Sequence, residues 1–142
     1  KMETESRKLL GGFDGAELSM HDSTVNASCN RIPTLDGHLE SLFVDLADEP
    51  SPDEARQAMR EFPGVDLPSA PDQLIHVFGE DEPDRPQPRL DRSRENGMQS
   101  SAGGVQSTDS GLKYNCLAHN TIRGAAGASL LNGELLVDEG WI

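Results

Sequence analysis

The spacing of apolar and polar positions predicts a chain of short elements. Residues 1–10 (KMETESRKLL) place Met2, Leu9 and Leu10 on one helical face, and Gly11 and Gly12 follow as a stop. No capping residue precedes Lys1, as expected of a helix that begins further upstream. Residues 25–33 (VNASCNRIP) and 39–47 (LESLFVDLA) read as strands, joined by the turn-forming Thr34-Leu35-Asp36-Gly37. Ser51-Pro52-Asp53-Glu54 then opens a helix, with serine at the cap, proline at the first position and acids in the first turn. Its apolar stripe is Ala55, Ala58, Met59 and Phe62, and Pro63-Gly64 ends it.

The second half reads as residues 73–78 in a short strand and 80–96 in an acidic, then proline- and arginine-rich loop. Strands follow at 97–106 and 112–119 around an Asp109-Ser110-Gly111 turn, and then a long helix over 120–137 whose first half is nearly all small residues. On the last strand Leu112, Tyr114, Cys116 and Ala118 share one side. Helices and strands in this mixed order, without repeats, predict an α+β fold: a mixed sheet with helices on one face.

Composition adjusts this picture. Hydrophobic residues are 35% of the 142, and Leu, Ile, Val and Phe together make about a fifth, so the core is modest. Such a chain either buries surface against something else or is adapted to an unusual solvent. Asp and Glu number 25 against 12 Lys and Arg, for a net charge of -13, and only Lys1, Lys8 and Lys113 are lysine. Excess carboxylate with little lysine fits a surface kept in strong salt, where self-repulsion is screened, and equally an ordinary acidic protein. Either way phosphate is repelled, so nucleic acid is not the expected partner. No apolar run approaches the ~20 residues that span a bilayer, so no membrane is expected. No signal peptide opens the chain. Two cysteines without ligand spacing imply a reduced, cytoplasmic setting.

Several residues could carry chemistry. Arg31 and His38 bracket a strand end and a tight turn (RIPTLDGH): a guanidinium can hold a carboxylate at two points, and an imidazole can move a proton near neutrality. Spacing alone gives the pair little weight. In GAAGAS (124–129), Gly124 and Gly127 are costly in a helix, by about 1 kcal/mol each against alanine; they serve either close packing or a ligand lying on the backbone. Cys29, in mid-strand, and Cys116 are expected to be buried and inert. His21, His76 and His119 lack partners at metal-ligand spacing, so no metal is expected.

Taken together, CNRIPTLDGHLES, RPQPRLDR and HNTIRGAAGASLLNGELL, in that order and preceded by KMETESRKLL, resemble the archaeal and fungal branch of aspartate-semialdehyde dehydrogenase. The resemblance runs from Lys1 to about Leu136. It implies the C-terminal part of such an enzyme, with a fold like the C-terminal domains of semialdehyde dehydrogenases and glyceraldehyde-3-phosphate dehydrogenase. Residues 1–119 would form an N-terminally truncated catalytic and dimerisation domain. Residues 120–142 would form a final helix that packs on an NADP-binding domain missing here.

By the same resemblance Arg31 grips the substrate's α-carboxylate and His38 is the acid/base. Lys1 faces substrate and phosphate, and Asn120 lies near the nicotinamide amide of NADP. The family's reaction is the NADPH-dependent reduction of β-aspartyl phosphate to aspartate semialdehyde and phosphate, through a thioester on a cysteine. Neither Cys29 nor Cys116 matches that cysteine, and the glycine-rich nucleotide loop is absent. The segment GMQSSAGGVQ lacks the family's usual basic Val-Gly-Arg pattern. The chain alone is therefore expected to be inactive, a homodimer partner with half an active site. The alternatives are a non-catalytic dimerisation module, a stand-alone thiol enzyme using Cys29, or a fragment of a malonyl-CoA reductase-like relative.

Overall fold

The structure, a computed structural model, describes all 142 residues and divides into two compact units, Lys1–Pro33 and Thr34–Ile142. In the first, helix α1 (Met2–Leu9) has acidic residues in its first turn and Arg7 and Lys8 in its last, which suits its dipole. A hairpin of β1 (Gly12–Phe13) and β2 (Leu18–Ser19) follows. Its turn is built by Asp14, whose Oδ1 accepts from the N–H groups of Ala16 and Glu17 at 2.9 and 2.8 Å. The pattern of apolar residues gave no sign of strands this short.

Residues 25–33 are not a strand. Asn26, Ser28 and Asn30 offer the backbone local alternatives to a ladder, and Pro33 cannot donate to one. The segment is held to α1 by the bond from Ala27 N–H to Glu3 Oε1 at 2.9 Å and by the contact of Cys29 Sγ with Met2 Sδ at 3.2 Å.

The second unit is built on a four-stranded mixed sheet in the order β3 (His38–Asp45), β6 (Gly111–Ala118), β5 (Ser100–Thr108), β4 (Ile75–Val77). The β3–β6 and β6–β5 pairs are antiparallel and β4–β5 is parallel. The α+β class with a mixed sheet is therefore as expected, and strand 97–106 begins three residues later than expected. Between Gly103 and Gln106 the β5 register slips by one residue against β6, a bulge in which Gly104 has φ +64°.

Helix α2 (Pro52–Glu61) forms as its sequence dictates. Ser51 Oγ accepts from Glu54 N–H, and the Glu54 carboxylate accepts from Ser51 N–H. It packs on β4 and β5, and Ala55 joins Leu112 and Val105 in the core with Tyr114 against them. Its stripe differs from the expected one: Ala58 and Phe62 are exposed, while Arg56 is buried. Three oxygens make that burial tolerable, because the Arg56 guanidinium donates to Asp53, Glu80 and the Val105 carbonyl.

Residues 80–96 are more than a loop. They contain a helical turn, α3 (Pro88–Asp91), and run into a 3₁₀ turn at Arg94–Gly97. Asp91 is fully buried; it takes both ends of the Arg85 guanidinium and the Gln87 N–H. Arg85 lies over the ring of buried Phe78, 4.8 Å from its centroid. The segment covers the face of β6 that carries Leu117, opposite the face under α2, since Pro88 and Arg92 approach Gly37 beside Leu117.

The last helix starts late. Residues 122–126 form a π turn, Ile122–Ala126, closed by Gly124 N–H to His119 O and Ala126 N–H to Thr121 O. Helix α4 runs from there over Gly127–Asp138. Gly127 has a packing reason: a Cβ there would collide with Met98 Sδ. Gly124 has none, since its nearest neighbour would be His119 O at 3.6 Å.

Candidate active site

The sequence-predicted residues fall in both units. Lys1 and Arg31 belong to the first and are exposed. Lys1 caps α1 through its carbonyl, which accepts from Thr4 and Glu5 N–H. Arg31 lies in irregular backbone. The ion pairs of the chain use Arg56 and Arg85, so the Arg31 guanidinium is uncommitted.

His38 and Asn120 belong to the second unit, and the fold brings them to one corner. His38 is exposed and opens β3, opposite Ala118 at the end of β6. Two residues past Ala118, the Asn120 side chain turns back, and its Oδ1 accepts from Gly37 N–H at 2.7 Å. Gly37 is buried with φ +101°, a conformation that suits glycine. A side chain there would crowd Leu117, Pro88 and Arg92 at 3.2–3.4 Å. The imidazole thus stands free on a backbone that is closely held.

The corner is completed by a residue that the sequence reading weighed only as a metal ligand. His119 is buried, and its Nδ1 lies 3.3 Å from Thr121 Oγ1 and 3.4 Å from Thr121 N. Its partner two positions on is the legible signal, a histidine followed by a threonine at a helix start. The other histidine with a defined environment is His76. Its ring packs edge-on to Phe78 with centroids 4.6 Å apart, and its Nδ1 accepts from Arg94 Nη2 at 3.1 Å. Burial, and then the Arg94 charge, push its pKa down, so it stays neutral and structural.

The cysteines divide, and one expectation is corrected. Cys29 is exposed in irregular backbone, not buried in a strand, because the segment around it forms no ladder. Its Sγ meets only Met2 Sδ, at 3.2 Å, which is no base. Cys116 is half-buried in β6, and burial, with Glu40 adding to it, pushes its thiol up to about 11. A thiol so raised is a poor nucleophile at neutral pH. A cleft of about 220 Å³ between α2 and the sheet is lined by Arg56, Phe78 and Glu80. Its one buried cation is already satisfied by three oxygens, so it offers no free charge to a ligand.

A mixed sheet with a histidine opening an edge strand, its turn held from the start of the last helix, is an α+β arrangement. Sequence and structure comparisons agree with that class. Residues 1–123 match the model of the semialdehyde dehydrogenase family's dimerisation domain. Over 98% of its length the chain is 48% identical to the aspartate-semialdehyde dehydrogenase of Archaeoglobus fulgidus, and over 99% it is 44% identical to that of Schizosaccharomyces pombe. The Candida albicans aspartate semialdehyde dehydrogenase, solved with NADP, superposes with a TM-score of 0.87 at 38% identity over 99% of the chain. The chain belongs to the semialdehyde dehydrogenase family and corresponds to its C-terminal dimerisation part. It spans 40–42% of the length of these relatives.

Proposed function

We propose that this chain is the C-terminal part of a cytoplasmic, NADPH-dependent aspartate-semialdehyde dehydrogenase and contributes half of its active site. Arg31 clamps the α-carboxylate of β-aspartyl phosphate, and Lys1 serves the substrate and its phosphate. His38 moves the proton. The nucleophilic thiolate comes from a nucleotide-binding domain outside these residues, and α4 packs against that domain. NADP, when bound, supplies the hydride, and Asn120 is the residue here that lies by its nicotinamide amide. Asn120 fits that duty, because with Oδ1 taken by Gly37 its Nδ2 remains as a donor for a carboxamide oxygen.

The observation that carries the reading is His38 itself: a solvent-open imidazole on a backbone pinned at Gly37. A group that only decorated the surface would need no such anchoring. Holding substrate by Arg31 converts binding energy into orientation, and an imidazole can pass a proton to or from a reacting group within hydrogen-bond reach. No helix of the structure is long and apolar enough to cross a membrane. In the protein that joins this chain to its nucleotide-binding domain, His38→Gln should lower kcat by about 10²- to 10⁴-fold. Unimpaired turnover in that variant would refute the assignment. So would an upstream reading frame that encodes no nucleotide-binding domain with a cysteine nucleophile.

A homodimer is part of the same proposal. The β3 residues Leu39 and Phe43 share the sheet face of Leu117 and Lys113, and Phe43 is 76% exposed. An exposed aromatic at the end of that face away from the segment covering Leu117 favours a protein partner. Light scattering that returned a monomer in both low and 2 M salt would reject it.

A further inference from the structure

The bond between Asn120 and Gly37 carries more than a cofactor contact. Gly37 N–H is buried and sits one residue outside the β3–β6 ladder, whose last pair is His38 with Ala118. No backbone carbonyl takes it; the Asn120 Oδ1 does, at 2.7 Å across 83 residues of sequence. A buried donor left without an acceptor would draw the turn toward water. The next residue after that donor is His38, so the turn's placement sets where the imidazole leaves the strand.

The far side of Asn120 is equally fixed. His119 is buried beside Thr121, and the π turn closes on the His119 and Thr121 carbonyls. Asn120 is thus a short rigid link between the start of the last helix and the histidine's turn.

We infer that Asn120 is a positioning residue for His38, its amide oxygen fixing the Gly37 turn through which the imidazole is aimed. This rests on the reading of His38 as the acid/base. It assigns the two ends of one amide to two duties: Oδ1 to the histidine's backbone, Nδ2 to whatever lies in front of it.

The test uses the full-length protein and four variants. Asn120→Ala removes both ends, Asn120→Asp keeps an acceptor for Gly37 and loses the donor, and His38→Gln is the control. Asn120→Ser, too short to reach Gly37, replaces the alanine variant should that not fold. Asn120→Ala is expected to lower kcat by about 10- to 100-fold, with KM for β-aspartyl phosphate within about twofold, since misplacement by an ångström costs rate and not binding. Asn120→Asp should recover kcat to within about fivefold of wild type, while KM for NADPH rises. Amide exchange at Gly37 should be protected in wild type and Asn120→Asp and fast in Asn120→Ala.

Kinetics of Asn120→Ala within twofold of wild type would overturn the inference. So would an Asn120→Asp variant no better than Asn120→Ala, with the loss confined to KM for NADPH, since the residue would then serve the cofactor only. A fully active His38→Gln would remove both this inference and the function it rests on. An inactive His38→Gln beside an unaffected Asn120→Ala would remove this inference alone.

Discussion

Helices α2 and α4 stand in the same unit and are made in opposite ways. Helix α2 has ten residues, a reciprocal serine–glutamate cap and proline at its first turn, and it buries Ala55 and Arg56. Helix α4 has twelve residues, no side-chain cap and no buried residue. Leu130, Leu136 and Val137 are 59%, 43% and 61% exposed. A helix with one apolar stripe is finished by the sheet beneath it, whereas one that is apolar on several sides needs cover on several sides. Helix α4 is tied to its unit by Glu134, which accepts from Ser69 N–H and Oγ–H at 2.9 and 2.7 Å, and by the packing of Gly127 on Met98. The difference separates a helix that this chain covers from one that it leaves largely open.

The largest effect is expected on the well-covered side. Asp91→Asn breaks the buried pair with Arg85 and should cost about 3 kcal/mol, the range for removing one partner of such a pair. Burial pushes the Asp91 carboxyl up, but the Arg85 guanidinium and the Gln87 N–H outweigh it and hold the group below the ordinary carboxylate value. A folded-state pKa below the unfolded one gives stability that is fully present above pH ~4 and is lost as pH falls through the folded value. Urea midpoints of wild type and Asp91→Asn should therefore differ at pH 7 and draw together as pH falls below about 4. A gap that stays constant with pH would assign the loss to packing and not to charge.

Under α2, Leu112 is 2% exposed in the core with Ala55 and Val105. Leu112→Ala should cost about 3 kcal/mol, near the low end for buried leucine. Ser51→Ala removes the acceptor for Glu54 N–H and should cost about 1 kcal/mol. The two losses act through one helix, so the double variant should lose less than their sum, read from urea titrations. Strict additivity would mean that α2 stays docked when its cap is gone.

The sequence made α2 legible and α4 only half so, for one physical reason. Local signals declare themselves within a few residues: Ser51 with Pro52 and Glu54, or the turn at residues 109–111. Nonlocal ones do not. Residues 25–33 read as a strand from their local composition, yet a strand exists only beside a partner, and this segment has none. The burial of Asp91 and Arg56 could not be read from a charged loop and a polar helix position, because burial is decided by what closes over them. Among the candidate site residues, His38 and Arg31 gained weight from the order of three motifs and not from their spacing. The Asn120–Gly37 bond, which joins residues 83 apart, was invisible until the sheet brought β3 and β6 together. The raised Cys116 thiol and the exposed Cys29 belong to the same class: sequence supplies the thiol, and the fold supplies its surroundings.

The smallest effect probes the comparison from the other end. Leu130→Ser on α4 removes an apolar side chain that is 59% exposed and touches no core. In the 142-residue chain it should change stability by less than about 0.5 kcal/mol, the ordinary range for surface sites. The same substitution under α2 would be severe, so the contrast between Leu112 and Leu130 measures how unfinished α4 is. If α4 packs against a nucleotide-binding domain as proposed, the cost in the joined protein should rise toward that of a buried leucine, about 2 kcal/mol or more. Equal, small costs in both contexts would mean that the helix stays open to water even there, and that its leucines await a different surface.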